Sequence, residues 1–132
     1  MKSLLIESTD TTPRVDFNLE TGVFAIEGKA ITNDAESFFN PVLEWLSEYI
    51  KRPSELTEVN IKLDYFNISS SKRILFVFYK LNELIEAGKK ITVNWFYHID
   101  EDDMYEVGQD FAFMVKIPFE FIEYSYYKEA VV

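Results

Sequence analysis

The chain has no cysteine among its 132 residues, which excludes disulfides, thiolate-held zinc and thiol catalysis and fits a reducing compartment. It has one histidine, His98, and a lone histidine at a strand end reads as a surface or hydrogen-bonding residue rather than a general base. Its four glycines, Gly22, Gly28, Gly88 and Gly108, form neither a dinucleotide fingerprint nor a P-loop. No G-x-S-x-G elbow frames a serine nucleophile. Positive charge is scarce as well: 13 Lys and Arg stand against 23 Asp and Glu, for a net charge of -10. That balance disfavours nucleic acid, whose backbone is bound by cations, and surplus surface carboxylate ordinarily serves solubility. No segment approaches the roughly 18 apolar residues of a membrane span, and no basic stretch leads into a long apolar run at the start. A soluble, cytoplasmic protein is expected, with no nucleic-acid partner, membrane insertion or cofactor.

What is present is apolar and aromatic: 48% hydrophobic residues and 17% aromatics, ample for one packed domain over residues 1–132. Leu4 to Ile6 predicts a short strand. Val15 to Leu19 and Val23 to Ile26 flank Glu20-Thr21-Gly22 as in a hairpin, which Gly28 is expected to end. Asn33 and Glu36 have capping-box spacing ahead of a helical series from Phe38 to Ile50. Pro41 leaves two options: the helix kinks there, or Asn40 caps a helix beginning at Pro41. Val59, Ile61, Leu63 and Tyr65 alternate as one face of a strand. Ile74, Val77, Phe78, Leu81 and Ile85 predict a deeply buried helix stopped at Gly88, with Lys89 and Lys90 at its negative end. Ile91 to Tyr97 alternates again, so strand, helix and strand predict a parallel crossover. The acids Asp100 to Asp103 open a third helix through Met104, Val107, Phe111 and Met114, and Phe119 to Tyr127 predicts a last strand. Phe66, Phe76, Tyr79 and Phe96 fall off the assigned faces, where some are expected to form an exposed interaction patch.

Chemistry concentrates where the central strand meets the second helix, in Asp64-Tyr65-Phe66-Asn67-Ile68-Ser69-Ser70-Ser71-Lys72-Arg73. Ser69, Ser70 and Ser71 sit at a helix start, where hydroxyls accept backbone N–H bonds as caps. The functional alternative is phosphorylation, since a phosphate is favoured at a helix N-terminus with Lys72 and Arg73 adjacent. A dianion there would repel or block a partner that docks on the unmodified surface. The run Asp100 to Asp103, with Glu106, Asp110 and His98, has the oxygen ligands a hard cation takes, yet its spacing is not an EF-hand loop. Solvated acids at a helix start are the plainer reading, and a small metal-dependent enzyme is the lesser alternative.

Three segments carry a resemblance: Asn33 to Trp45 (N-D-A-E-S-F-F-N-P-V-L-E-W), Leu63 to Leu75 (L-D-Y-F-N-I-S-S-S-K-R-I-L), and Trp95 to Phe121 (W-F-Y-H-I-D-E-D-D-M-Y-E-V-G-Q-D-F through P-F-E-F). In this order they resemble the SiaC family of bacterial regulatory phosphoproteins, within the wider STAS-like group. The resemblance implies an α/β, STAS-like single domain, with a mixed β-sheet and helices packed mainly on one face. It implies no enzymatic activity. It implies partner switching: a cognate protein kinase and a PP2C-type phosphatase set the phosphorylation state, and the unmodified form binds and activates a diguanylate cyclase (a GGDEF protein) in cyclic di-GMP signalling. The family's turn reads N-T-S-S with the threonine as acceptor, and here that position is Ile68. Matching to the D-S-S of related anti-sigma antagonists points instead to Ser70, then Ser69, as the phosphorylation site. Asn67 is the turn-former, and Ile68, Ser71, Lys72 and Arg73 complete the expected partner-binding surface. The alternative is a constitutive binding module that has lost its switch.

Overall fold

The computed structural model describes residues 1–125. In chain order the elements are β1 (Leu4–Ile6), β2 (Arg14–Asn18), β3 (Val23–Ala30), α1 (Ala35–Tyr49), β4 (Leu56–Phe66), α2 (Ile68–Glu86), β5 (Lys90–His98), α3 (Asp102–Met114) and β6 (Phe119–Tyr124). The expected last strand ends at Tyr124, and its Tyr126 and Tyr127 lie outside the described residues.

All six strands lie in one sheet, in sequence order. β1, β2 and β3 pair antiparallel, and β3 through β6 pair parallel. Each helix carries the chain to the adjacent parallel strand, always stepping in the same direction, so crossovers of one hand put the helices on one face. The core lies between that face and the helices. Val15, Phe17, Phe24, Ile26, Val59, Ile61, Val93 and Trp95 rise from the sheet to meet Phe39, Val42, Leu46, Ile74, Val77, Phe78 and Leu81. Strand residues of the other parity line the bare face, among them Asn94 and Asn60, whose side chains hydrogen-bond at 2.8 Å.

Several local expectations shift. α1 begins at Ala35, capped by Asp34, whose carboxylate accepts the Ser37 amide at 3.1 Å and the Ser37 hydroxyl at 2.7 Å. Neither the Asn33–Glu36 box nor Asn40 starts it, and Pro41 lies inside the helix. An interior proline costs about 3 kcal/mol. The five buried residues of this helix, Ala35, Phe39, Val42, Leu46 and Tyr49, outweigh that, since each large apolar side chain buried contributes about 1.5–3 kcal/mol. Gly28 does not end β3. It has φ +116 at a register shift, and the strand continues to Ala30. Gly88 does stop α2: its amide donates to Ile85 and that of Lys89 to Leu84, the paired bonds of a Schellman end with a left-handed glycine at φ +79.

The register shift at Gly28 also turns the end of β4. Leu63 pairs with Gly28 but Tyr65 pairs with Lys29, so Asp64 is an extra residue in β4. A bulge of one residue reverses which face each later side chain takes. Tyr65, expected inward, is therefore 59% exposed. Phe66 turns instead to the helix side, where its ring lies 6.4 Å from that of Trp95 and 6.3 Å from that of Phe111.

Candidate functional site

The bulge delivers the chain directly into α2. Asn67 caps the helix: its side-chain carbonyl accepts the Ser70 amide at 2.9 Å, and its side-chain amide donates to the Thr32 carbonyl at 3.1 Å. The backbone amide of Asn67 also donates to Ala30. The turn-former is thus tied to both the helix and the end of β3. The serines are not the cap but occupy the first turn behind it.

Their environments differ sharply. Ser69 is exposed, and its hydroxyl donates to the Asn67 side-chain oxygen at 3.3 Å. Ser70 is 0% exposed, and its hydroxyl oxygen finds no hydrogen-bond partner among the described residues. It shares the inward face with Ile74, Val77, Leu81 and Leu84. Ser71 is half-buried. Ser70, the first of the two expected phosphorylation sites, is thus buried, and Ser69, the second, is exposed. Ile68, at the very start of the helix, is 90% exposed.

Lys72 and Arg73 part company. Lys72 is exposed beside Ile68 and Ser69, while Arg73 turns towards α1 and pairs with Glu36 at 3.4 Å. Both cations lie near Phe76, at 5.9 and 5.3 Å from its ring centre, and that half-buried ring lines a small apolar groove with Leu43 and Tyr79. Tyr79 is 46% exposed, and Phe96 is half-buried opposite Ile122 on the bare face. Among the described residues the most exposed large apolar side chains are Ile68 and, at 92%, Phe113. Sequence reasoning passed over Phe113, although it falls outside the Met104, Val107, Phe111 and Met114 stripe of its helix.

Between the start of α2 and α3 lies a groove of about 440 Å³. Phe66, Asn67, Ile68, Ser71, Lys72 and Leu75 form one wall, and Val107, Asp110, Phe111 and Met114 the other. Its lining is mostly apolar, with one cation and one carboxylate on opposite sides. Contiguous exposed apolar surface rimmed by polar groups marks a protein-docking site. The sequence signal for the second wall was the α3 stripe, read only as the mark of a helix.

The acidic run does not assemble a metal site. Asp102 and Asp103 lie in the first turn of α3, where the helix dipole favours them, and among the described residues no group of three or more His, Asp or Glu converges to hold a metal ion. His98 ends β5 half-buried, and its Nδ1 accepts the Asp100 amide at 3.1 Å. Behind it, burial, with Glu123, Tyr105 and Asp102 adding, pushes the Tyr97 phenol above its ordinary pKa, so it stays a neutral ring packed on Tyr105 at 4.9 Å. No helix among the described residues is long and apolar enough to cross a membrane.

Known proteins share this fold. The chain is 23% identical over 119 residues to an uncharacterised protein of Pseudomonas aeruginosa strain UCBPP-PA14, covering 90% of this chain and 94% of that one. The crystal structure of apo-SiaC from Pseudomonas aeruginosa superposes with a TM-score of 0.84 at 23% identity, covering 92% of this chain and 99% of that one. SiaC in the crystal structure of the diguanylate cyclase SiaD in complex with its activator SiaC, also from Pseudomonas aeruginosa, gives 0.86 at 21% identity, covering 92% and 99%. The family model for SiaC family regulatory phosphoproteins matches residues 6–124, and with that span of the fold the chain belongs to the SiaC family.

Proposed function

We propose that this chain is a non-enzymatic, cytoplasmic regulator that docks a diguanylate cyclase in the α2–α3 groove, and that phosphorylation of Ser69 closes the groove. The carrying observation is the contrast between two neighbouring hydroxyls: Ser69 is exposed beside Ile68 and Lys72, both of which line the groove, whereas Ser70 is fully buried. The partner class comes from the SiaD complex of a family relative. A cognate kinase and a PP2C-type phosphatase complete the circuit.

The physics of the switch is local. A phosphate on Ser69 adds nearly two negative charges at the second residue of α2, which the helix dipole and Lys72 favour. The fold is therefore undisturbed. The same dianion sits beside the apolar groove, and an apolar partner surface closing over it would strip its water without supplying enough partners, at steep cost. Phosphorylation releases the partner without unfolding the regulator.

The test combines mass spectrometry of the Asn67 to Lys72 segment after incubation with the kinase and calorimetric titration with a diguanylate cyclase of its own cell, with SiaD as the comparison. Phosphate on Ser69, full binding by Ser69→Ala and at least tenfold weaker binding by Ser69→Glu are expected. Tight binding by a chain that the kinase never modifies favours the second reading, a constitutive binder, for which the 90% exposure of Ile68 at the groove is the supporting observation.

A further inference from the structure

Gly108 stands in the middle of α3, where a helix prefers almost any residue other than proline. It is buried, and the reason lies across the interface. A Cβ added there would come 2.5 Å from Trp95 Nε1, 2.6 Å from Cδ1 and 2.8 Å from Cε2. The indole also donates from Nε1 to the Met104 carbonyl at 2.9 Å. An α-helix gives that same carbonyl to the amide four residues on, so the ring closes on the backbone of the turn from Met104 to Gly108. Trp95 is 0% exposed, and its ring neighbours are Phe66, Phe78 and Phe111.

Two of those neighbours, Phe66 and Phe111, line the groove, as does Val107 beside Gly108. Trp95 and Gly108 do not line it. α3 fully buries only Gly108 and Phe111, with Met104 and Val107 partly buried against the core and Tyr105 packed on Tyr97 and Phe121, and its Glu101 cap makes no side-chain bond. We propose that Gly108 and Trp95 are positioning residues for partner docking: the indole is the seat of α3, and the missing side chain at 108 sets how deep the helix sits and thus how wide the groove stands. Carbon atoms pack at about 3.5–4.0 Å, so a methyl group at 108 demands a displacement of about 1 Å. The enclosed indole has no room to yield, because interiors are close-packed. The exposed helix gives instead, carrying Val107, Asp110, Phe111 and Met114 away from Ile68.

The docking part of this proposal rests on the α2–α3 groove being the cyclase site, and the experiment separates the two. Wild type, Gly108→Ala, Trp95→Leu and the double variant are compared by amide hydrogen exchange and by titration with the diguanylate cyclase, with exposed Gln109→Ala as the control. Gly108→Ala is expected to keep or raise helical circular dichroism, because alanine favours helix. It is also expected to speed exchange over residues 102–114 by tenfold or more, leave residues 35–49 unchanged, and weaken binding at least tenfold. Trp95→Leu removes the indole and its bond to Met104, so it too is expected to speed exchange over residues 102–114 and weaken binding, and because the two residues touch, their losses should not add in the double variant. Wild-type exchange and binding in Gly108→Ala would overturn the proposal, and so would losses that add fully in the double variant. If Trp95→Leu does not fold, the exchange profile of Gly108→Ala alone decides. A wild-type chain that binds no cyclase sinks the functional reading, while exchange still decides whether the seat exists.

Discussion

α2 enters the groove with its first turn closed by the Asn67 side chain and six buried residues behind it, whereas α3 begins at Glu101 without a side-chain cap and buries two. One wall belongs to the core and the other leans on it. A groove with one fixed and one lightly held wall can be shaped at the second without loss of the fold. Local stability of this uneven kind is ordinary in regions that bind.

That contrast can be broken most severely at Phe111, the one large buried side chain of α3. Phe111→Ala is expected to cost about 3 kcal/mol or more, read from urea unfolding, with hydrogen exchange showing α3 released before α2. The caps come next. Asn67→Ala should cost about 1–2 kcal/mol, while Glu101→Ala, which removes no capping bond, should stay within about 0.5 kcal/mol. Equal losses at the two caps would erase the distinction between the walls. Ser70→Ala acts in the opposite direction. It deletes a fully buried hydroxyl without a partner among the described residues, and removing such a group is expected to raise the unfolding free energy by about 1 kcal/mol.

The smallest effect separates the caps by charge. Hydrogen bonds from the Ser37 hydroxyl and then the Ser37 amide hold the Asp34 carboxyl below the ordinary carboxylate range. A lowered folded-state pKa stabilises above the unfolded value and loses that stabilisation as pH falls through the folded one. Asp34 should therefore help α1 above about pH 4 and progressively cease to help below it, while the uncharged Asn67 cap of α2 has no such dependence. Urea midpoints from pH 6 to pH 3 should converge for wild type and Asp34→Asn as the pH drops.

The order of elements was legible because alternation and helical stripes are local signals, and Val59 to Leu63 and Ile74 to Leu84 bury as their spacing requires. The surprises come from partners distant in sequence. Gly28 looks like a stop until β4 pairs alongside it, and Tyr65 looks inward until the extra residue Asp64 reverses the strand's phase. Asn67 and three serines are all capping residues, so local chemistry alone left open which one closes the helix. Ser70 is removed from reach by the packing of α2, and nothing adjacent in the chain reports that. Gly108 reads as a weak point of a helix until Trp95 is placed beneath it. In the candidate site, the first wall was visible in the strand-to-helix turn, while the stripe of the second announced a helix but not what it faces.

The extra residue in β4 also fixes what this region tolerates in length. Side chains between Leu63 and Asn67 vary within their burial, and the number of residues has one to spare. Deleting Asp64 would restore regular pairing with β3 and leave Tyr65 opposite Lys29, Phe66 opposite Ala30 and Asn67 in reach of the Thr32 carbonyl, whereas deleting a second residue would turn Phe66 out of the core and bring Asn67 one residue short of that carbonyl. The joint between the sheet and α2 works as a spacer with one residue of slack, and a first and a second deletion in it belong to different classes of damage.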